Sequence, residues 1–257
     1  MNLQQNYQAF KTIVIKEFLR FIRIWIQTIL PPVMTTALYF IIFGDLIGSQ
    51  LKPIDGYSYM DYIVPGLILM AVITHSYSNV VSSFYMAKFQ KSIEELLVSP
   101  VPNHIILLGY ISGGVSRGFI VGIIVAIVAR YYSDFEVYSY TISFGIVFLT
   151  AVLFSLAGFI NAVYANSFDD ISIIPTFVLT PLTYLGGIFY SINMLPEFWQ
   201  KVSLVNPILY MVNSFRYGLL GVSDTDLSHA LLIICVFIIV LYSYAMHLLN
   251  IGKGIKN

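Results

Sequence analysis

Charged side chains are sparse in this sequence, and none of them falls in a spacing that supports catalysis. Thirteen Lys and Arg and thirteen Asp and Glu are spread over 257 residues, with four His and one Cys. No GxxxxGK[ST] phosphate loop, Gly-x-Ser-x-Gly elbow or HExxH pair is present. The closing NIGKGIKN combines Gly and Lys, but it lacks the loop's spacing and the strand that must precede it. His75, His104, His229 and His247 are scattered along the chain, so no metal centre is expected. No catalytic residue and no bound cofactor is predicted for this chain, and it should not hydrolyse ATP by itself.

The remaining polar chemistry lies inside apolar runs. Arg117 sits about 14 residues into one of them, roughly 20 Å along a helix and therefore near mid-bilayer. A guanidinium at that depth is costly unless it is paired, hydrated or snorkelling. It can meet the anionic head of a substrate, or it can pair with a neighbouring helix. Asn79, with Thr74 and His75 beside it, and Thr180 and Thr183 in a later run, are candidates for a polar path or for hydrogen-bonded contacts between helices.

A second kind of chemistry is mechanical. The segment KFQKSIEELLVSPVP, 88–102, gathers Phe89, Ile93, Leu96 and Leu97 on one helical face. Lys88, Lys91, Glu94 and Glu95 fall mostly elsewhere, and Pro100 and Pro102 end the helix. A short amphipathic helix pinned between two apolar runs suits docking into a groove on a partner. The N-terminal segment, 1–27, is also amphipathic. Lys16, Arg20 and Arg23 recur at i, i+4 and i+7, with Phe10, Val14, Phe18, Phe21 and Trp25 on another side. Such a helix is expected at the membrane surface, its cations toward anionic headgroups.

The elements that must position these groups are set by hydropathy. Apolar residues make up 58% of the chain and charged residues 10%, and the mean hydropathy is +0.82. Soluble domains carry about 25% charge, so this is a polytopic membrane protein of all-α class. Six spans are predicted, at 28–47, 62–85, 103–129, 140–161, 171–191 and 227–249. No cleaved signal peptide is expected. Pro31 and Pro32 mark a bend or first turn in the first span. Gly114, Gly118 and Gly122 form GxxxGxxxG in the third, with Gly109 and Gly113 on an adjacent face. Such stripes allow close helix approach, within one chain or between two copies. Pro175, Pro181 and Gly186-Gly187 predict an interrupted fifth span. The region 192–226 holds two short helices, near 196–203 and 207–220, with Asn206 placed to cap the second and Pro207 to start it. Neither is long enough to cross. Cys235 lies in an apolar run and reads as a small buried hydrophobe.

With both termini in the cytoplasm, the inner segments hold Lys11, Lys16, Arg20, Arg23, Lys88, Lys91, Lys253 and Lys256. The outer segments and their edges hold Lys52, Arg130, Lys201 and Arg216, so the excess of inner cations supports this orientation.

Two long blocks carry a resemblance. PGLILMAVITHSYSNVVSSFYMAKFQKSIEELLVSPVPNHIILLGY, 65–110, and PLTYLGGIFYSINMLPEFWQKVSLVNPILYMVNSFRYGLLG, 181–221, are similar to the permease subunits of ABC-2 type exporters. Among these they resemble the Yad-type inner-membrane permeases of Gram-negative bacteria, and the likeness extends over essentially the whole chain. The resemblance implies an N-terminal interface helix followed by six spans, with two re-entrant helices before the sixth. It makes 88–98 the coupling helix, so that Lys88, Phe89, Lys91, Ile93, Glu94, Glu95, Leu96 and Leu97 seat in an ATPase subunit. The helix bearing Lys16, Arg20 and Arg23 lies beside it, and Asn206, Pro207 and Arg216 belong to the outer re-entrant element. It further implies two copies of the permease with two separately encoded ATPase subunits, which bind the ATP and Mg. The cargo would be an amphiphilic, lipid-like, glycan or drug molecule, exported across the bacterial inner membrane. Membrane lipids are expected partners and nucleic acid is not. A non-transporting scaffold that recruits a cytoplasmic protein, or a secondary transporter, are the competing readings. The latter lacks an intramembrane carboxylate with which to couple protons.

Overall fold

A computed structural model describes residues 2–252, and Lys253 and Lys256 of the inner cation set lie outside them. The described chain is helical apart from its turns. The helices are α1 (Leu3–Arg23), α2 (Trp25–Tyr39), α3 (Tyr59–Phe89), α4 (Ser92–Val98), α5 (Asn103–Tyr132), α6 (Tyr140–Tyr164), α7 (Asp170–Ile174), α8 (Thr180–Tyr184), α9 (Glu197–Ser203), α10 (Pro207–Leu220) and α11 (Leu227–Ile251). Wide π-type turns extend α2 through Phe40–Ile47 and join α7 to α8 through Pro175–Leu179.

Among the described residues, five helices are long and apolar enough to cross a membrane: Trp25–Gly44, α3, α5, α6 and α11. The first begins at Trp25, ahead of the expected 28, so Pro31 and Pro32 lie in its interior rather than in its first turn. The expected fifth span is shorter than its apolar composition implies. It consists of three five-residue pieces and stops at Tyr184. Pro175 and Pro181 each remove an amide donor from the ladder. The Pro175 carbonyl accepts both the Thr180 amide, across the wide turn, and Thr180 Oγ1 (2.9 Å). The chain then turns at Gly186-Gly187, and Gly187 adopts φ +72°, a conformation that only glycine takes without strain.

α3 and α6 form the centre, with α5 against both. α1 and α2 pack on the outer side of α5, while α10 and α11 pack on α6. α2 and α11 bury only a fraction of their surfaces, as helices facing lipid or a partner do. Cys235 is exposed on α11, where a buried residue was expected; α11 packs on one side only, and Cys235 falls on the other.

The two ends of the bundle are distinct. At one end Lys88 of α3 donates to carbonyls at the close of α6, and Asn103 Nδ2 reaches Asn250 Oδ1 across 2.8 Å. α4 lies at this end. At the other end Tyr57 donates to the Leu220 carbonyl (2.6 Å), and the Tyr138 and Ser139 amides donate to Leu219 and Gly218. The end of α10 and the start of α11 lie there. Asp226 caps α11 by accepting from the Ser228 and His229 amides. These bonds, that of His229 foremost, hold its carboxyl below the usual carboxylate range.

Candidate functional site

The end that bears α4 is built around a sharp reversal. α3 finishes at Phe89, and Lys91 takes φ +59°, the left-handed turn that lets α4 fold back across the bundle. Lys88 and Phe89 therefore belong to the long helix and not to the short one. Ile93 is buried beneath α4, and Leu96 and Leu97 are half-buried beside it. Lys91, Glu94 and Glu95 are exposed, so α4 presents a charged outer face on an apolar footing.

Lys88 is engaged rather than free. Its Nζ donates to the carbonyls of Val163 (2.8 Å) and Ala165 (2.7 Å), two acceptors that the helix end leaves unsatisfied. Phe89 is exposed and packs its ring against Phe168 (5.2 Å between centroids), which in turn meets Tyr85 (5.0 Å). Phe168 thus joins the α6–α7 turn to α4's base, a contribution that the sequence reading did not single out.

α1 approaches the same end along α5. Gly109 and Gly113 leave a trough on α5. A Cβ on Gly109 would meet Ile13 at 2.5 Å, and one on Gly113 would meet Glu17 at 2.7 Å. Two successive contacts in the same order show α1 running alongside α5. It is docked in this trough. Its buried stripe is Ile13, Glu17 and Phe21, while Phe18 and Trp25 of the expected apolar face are exposed.

Glu17 is 0% exposed. It accepts from Ser83 Oγ (2.6 Å) and from Arg20 Nε (3.3 Å). Arg20 turns inward instead of toward headgroups: its Nη2 donates to the Asn79 carbonyl (2.9 Å) and to Asn79 Oδ1 (2.8 Å). Lys16 stays exposed, its ammonium 5.9 Å from the Tyr110 ring centre, and Arg23 is exposed. A polar seam of Glu17, Arg20, Asn79 and Ser83 therefore fastens α1 to α3, whose far end carries α4. Glu17 was missed from the sequence. The available signal was its i, i+4 spacing from Ile13 and Phe21, which puts a carboxylate in the buried stripe.

The glycine motif packs within the chain. Cβ atoms on Gly114, Gly118 and Gly122 would strike Val80, Ser76 and Val72 of α3, and that on Gly114 would also strike Ser155 of α6. Arg117, on the α1-facing side of α5 one turn beyond Gly113, is 9% exposed and its Nε has no partner. Asn79 and Arg117 thus lie along one seam. Thr180 and Thr183 do not join them; Thr183 donates to its own helix at Leu179 (2.6 Å).

At the opposite end Asn206 caps α10, accepting from the Ile208 amide (3.0 Å) and donating to the Leu182 carbonyl (2.6 Å). Pro207 opens that helix. Arg216 is fully enclosed: it donates to Asn213 Oδ1 (3.0 Å) and to the Gly187 carbonyl (2.6 Å), and it stacks 4.0 Å from the Tyr62 ring centre. It thereby ties α10 to the turn after α8 and to the start of α3. An apolar groove of about 670 Å³ opens between α5 and α6 near this end, with Phe119, Ile123, Phe144 and Phe215 among its walls and Arg130 at its edge.

Comparison with known proteins identifies the family. The ABC-2 type transporter family pattern matches residues 8–220, from α1 to the end of α10. The chain is 55% identical over 249 residues to the inner membrane transport permease YadH of Escherichia coli (strain K12), covering 97% of each protein. It is 23% identical over 207 residues to nodulation protein J of Rhizobium meliloti (strain 1021), covering 80% of this chain and 79% of that one. It is 20% identical over 226 residues to nodulation protein J of Rhizobium leguminosarum bv. viciae, covering 88% and 87%. With a family match across most of its length and a 55% identical relative end to end, this chain belongs to the ABC-2 type transporter family, as a membrane permease.

Proposed function

We propose that this permease is the membrane subunit of an ATP-driven exporter, assembled as two copies with two separate ATPase subunits. The ATP and Mg belong to those subunits. In this reading the helical run from Asp170 through Tyr184, with the turn that follows, completes a sixth crossing, and both termini face the cytoplasm of a bacterial inner-membrane protein. The cargo is an amphiphile: a lipid-like, glycan or drug molecule.

The observation that carries the reading is the placement of α4. Its charged face is exposed, its apolar side is seated on the bundle, and it continues from α3 through a single left-handed residue. A push on α4 therefore acts directly on a helix that runs the depth of the bundle and forms its centre. The α1 seam makes the N-terminal helix move with α3. Differential preference of the ATP-bound and ATP-free states for two arrangements of this bundle is what would drive transport.

The test is co-purification with a co-expressed candidate ATPase subunit bearing Walker motifs, followed by hydrolysis measurements. Glu94→Lys reverses a charge on the exposed face without touching the packed side. Weakened ATPase association with normal membrane insertion is expected. Unchanged association and unchanged hydrolysis would remove α4 from the coupling role.

A further inference from the structure

Arg117 lacks a counter-charge. Among the described residues the ion pairs are Arg20 with Glu17 and His229 with Asp226, and neither involves Arg117. The charged groups that act on it are Arg20 and, when protonated, His75, both basic. The buried carboxylate of the seam, Glu17, already accepts from Ser83 and Arg20. The seam thus holds two guanidiniums against one carboxylate, and the surplus positive charge lies midway along α5, a helix long and apolar enough to cross a membrane, where such a charge is most expensive.

Unpartnered nitrogens gather at the same place. Arg117 Nε, His75 Nδ1 and Asn79 Nδ2 are all buried without a hydrogen-bond partner. His75 and Asn79 are one helical turn apart on α3, and the Asn79 amide nitrogen lies 3.2 Å from where a Cβ on Gly113 would be, one turn before Arg117 on α5. The place is not sealed. Thr74, beside His75, is exposed on α3, and His75 itself is only half-buried.

We propose that Arg117, His75 and Asn79 form a subsite that takes the anionic headgroup, phosphate or carboxylate, of an amphiphile within the bilayer. An anionic oxygen there gains charge-assisted hydrogen bonds and neutralises the guanidinium. The surroundings favour a headgroup over a soluble ion. Ile120 and Val121 stand one turn beyond Arg117 on the same side of a largely apolar helix, and an amphiphile brings its own acyl chain to that surface. The proposal rests on the transport reading for its purpose, as a station for cargo, but its binding chemistry needs no ATPase.

The test uses the full-length permease in non-ionic detergent, titrated with dihexanoyl phosphatidylglycerol and with the matching phosphatidylcholine. Wild type should bind the anionic lipid about tenfold more tightly than the zwitterionic one, the scale of one charge-assisted hydrogen bond. Arg117→Gln should remove that preference, His75→Ala should reduce it, and Arg117→Lys should retain part of it. Equal affinities in wild type, or an undiminished preference in Arg117→Gln, would overturn the site. Inorganic phosphate is the second arm: competition by millimolar phosphate would overturn the headgroup assignment, and its failure to compete supports it. If Arg117→Gln does not yield a single folded species, the wild-type preference and the His75→Ala comparison decide. ATPase co-purification on the same wild-type material separates the two ideas. Its loss would defeat the transport reading, whereas loss of lipid preference alone would defeat this one.

Discussion

Glu17→Ala should release the N-terminal helix from the bundle. Glu17 is 0% exposed and accepts from Ser83 and Arg20, so its removal leaves a buried hydroxyl and a guanidinium nitrogen without their acceptor. Breaking a buried ion pair from one side costs about 3–5 kcal/mol. Here the cost falls below that range, because the Arg20 side chain is 29% exposed and keeps both of its bonds to Asn79. About 2–3 kcal/mol against the docked helix is expected, or roughly 30- to 150-fold in the docking equilibrium. The assay is maleimide labelling of Ile13→Cys, a residue buried against Gly109, in a background where the chain's single native cysteine, Cys235, is replaced by Ser. Labelling should accelerate about 30-fold or more when Glu17→Ala is added. Val125→Cys, buried in α5 away from the seam, serves as the control for global loosening and should stay unreactive. Labelling rates for Ile13→Cys that stay within about twofold with and without Glu17→Ala would refute the fastening argument, since they correspond to less than about 0.5 kcal/mol.

Three further outcomes follow from particular contacts. Gly158→Ala should lower thermal stability in detergent by about 1–3 kcal/mol, because its Cβ would meet the Tyr77 carbonyl at 2.5 Å, whereas Gly145→Ala, with nothing within 4 Å, should leave the melting temperature unchanged or raise it. Lys91→Gly should raise thermal stability in detergent by up to about 1 kcal/mol, since it relieves a left-handed residue. Lys91→Pro cannot adopt that φ and loses the amide bond to Lys88, so it should abolish co-purification with the ATPase without preventing membrane insertion. Arg216→Lys should cost about 2–3 kcal/mol by differential scanning fluorimetry, because one ammonium cannot hold Asn213 and Gly187 and also stack on Tyr62.

Much of the architecture is local and therefore readable along the chain. An apolar run long enough to cross hydrocarbon must be helical, because its amides and carbonyls find no other partners there. That argument holds for α3, α5, α6 and α11, whose lengths follow from composition. It overestimates 171–191, where the apolar residues continue but Pro175, Pro181 and the glycine pair break the ladder before the run ends. The candidate site was less legible. The spacing of Lys16, Arg20 and Arg23 places three cations on one helix face, but only Asn79, 59 residues away, turns Arg20 inward. Lys88 reads as a docking cation until the end of α6 is seen to supply two carbonyls to it. Thr180 and Thr183 read as hydroxyls for a polar path or for contacts between helices, and only the structure shows that both donate to the backbone of their own helical run.

Hydropathy, proline and glycine positions and two long blocks of family-like sequence were enough to identify a helical membrane permease of the ABC-2 type. Each of those signals is carried by residues close together in the chain, so none needs a partner to be read. Packing alone decided that α1 docks on Gly109 and Gly113, that GxxxGxxxG meets α3 within the same chain, and that Glu17 neutralises Arg20 while Arg117 stays unpaired. The periodicity of a helix tells which side chains share a face; it carries no information about which distant helix that face will meet. A buried charge acquires its partner only when the helices close around it.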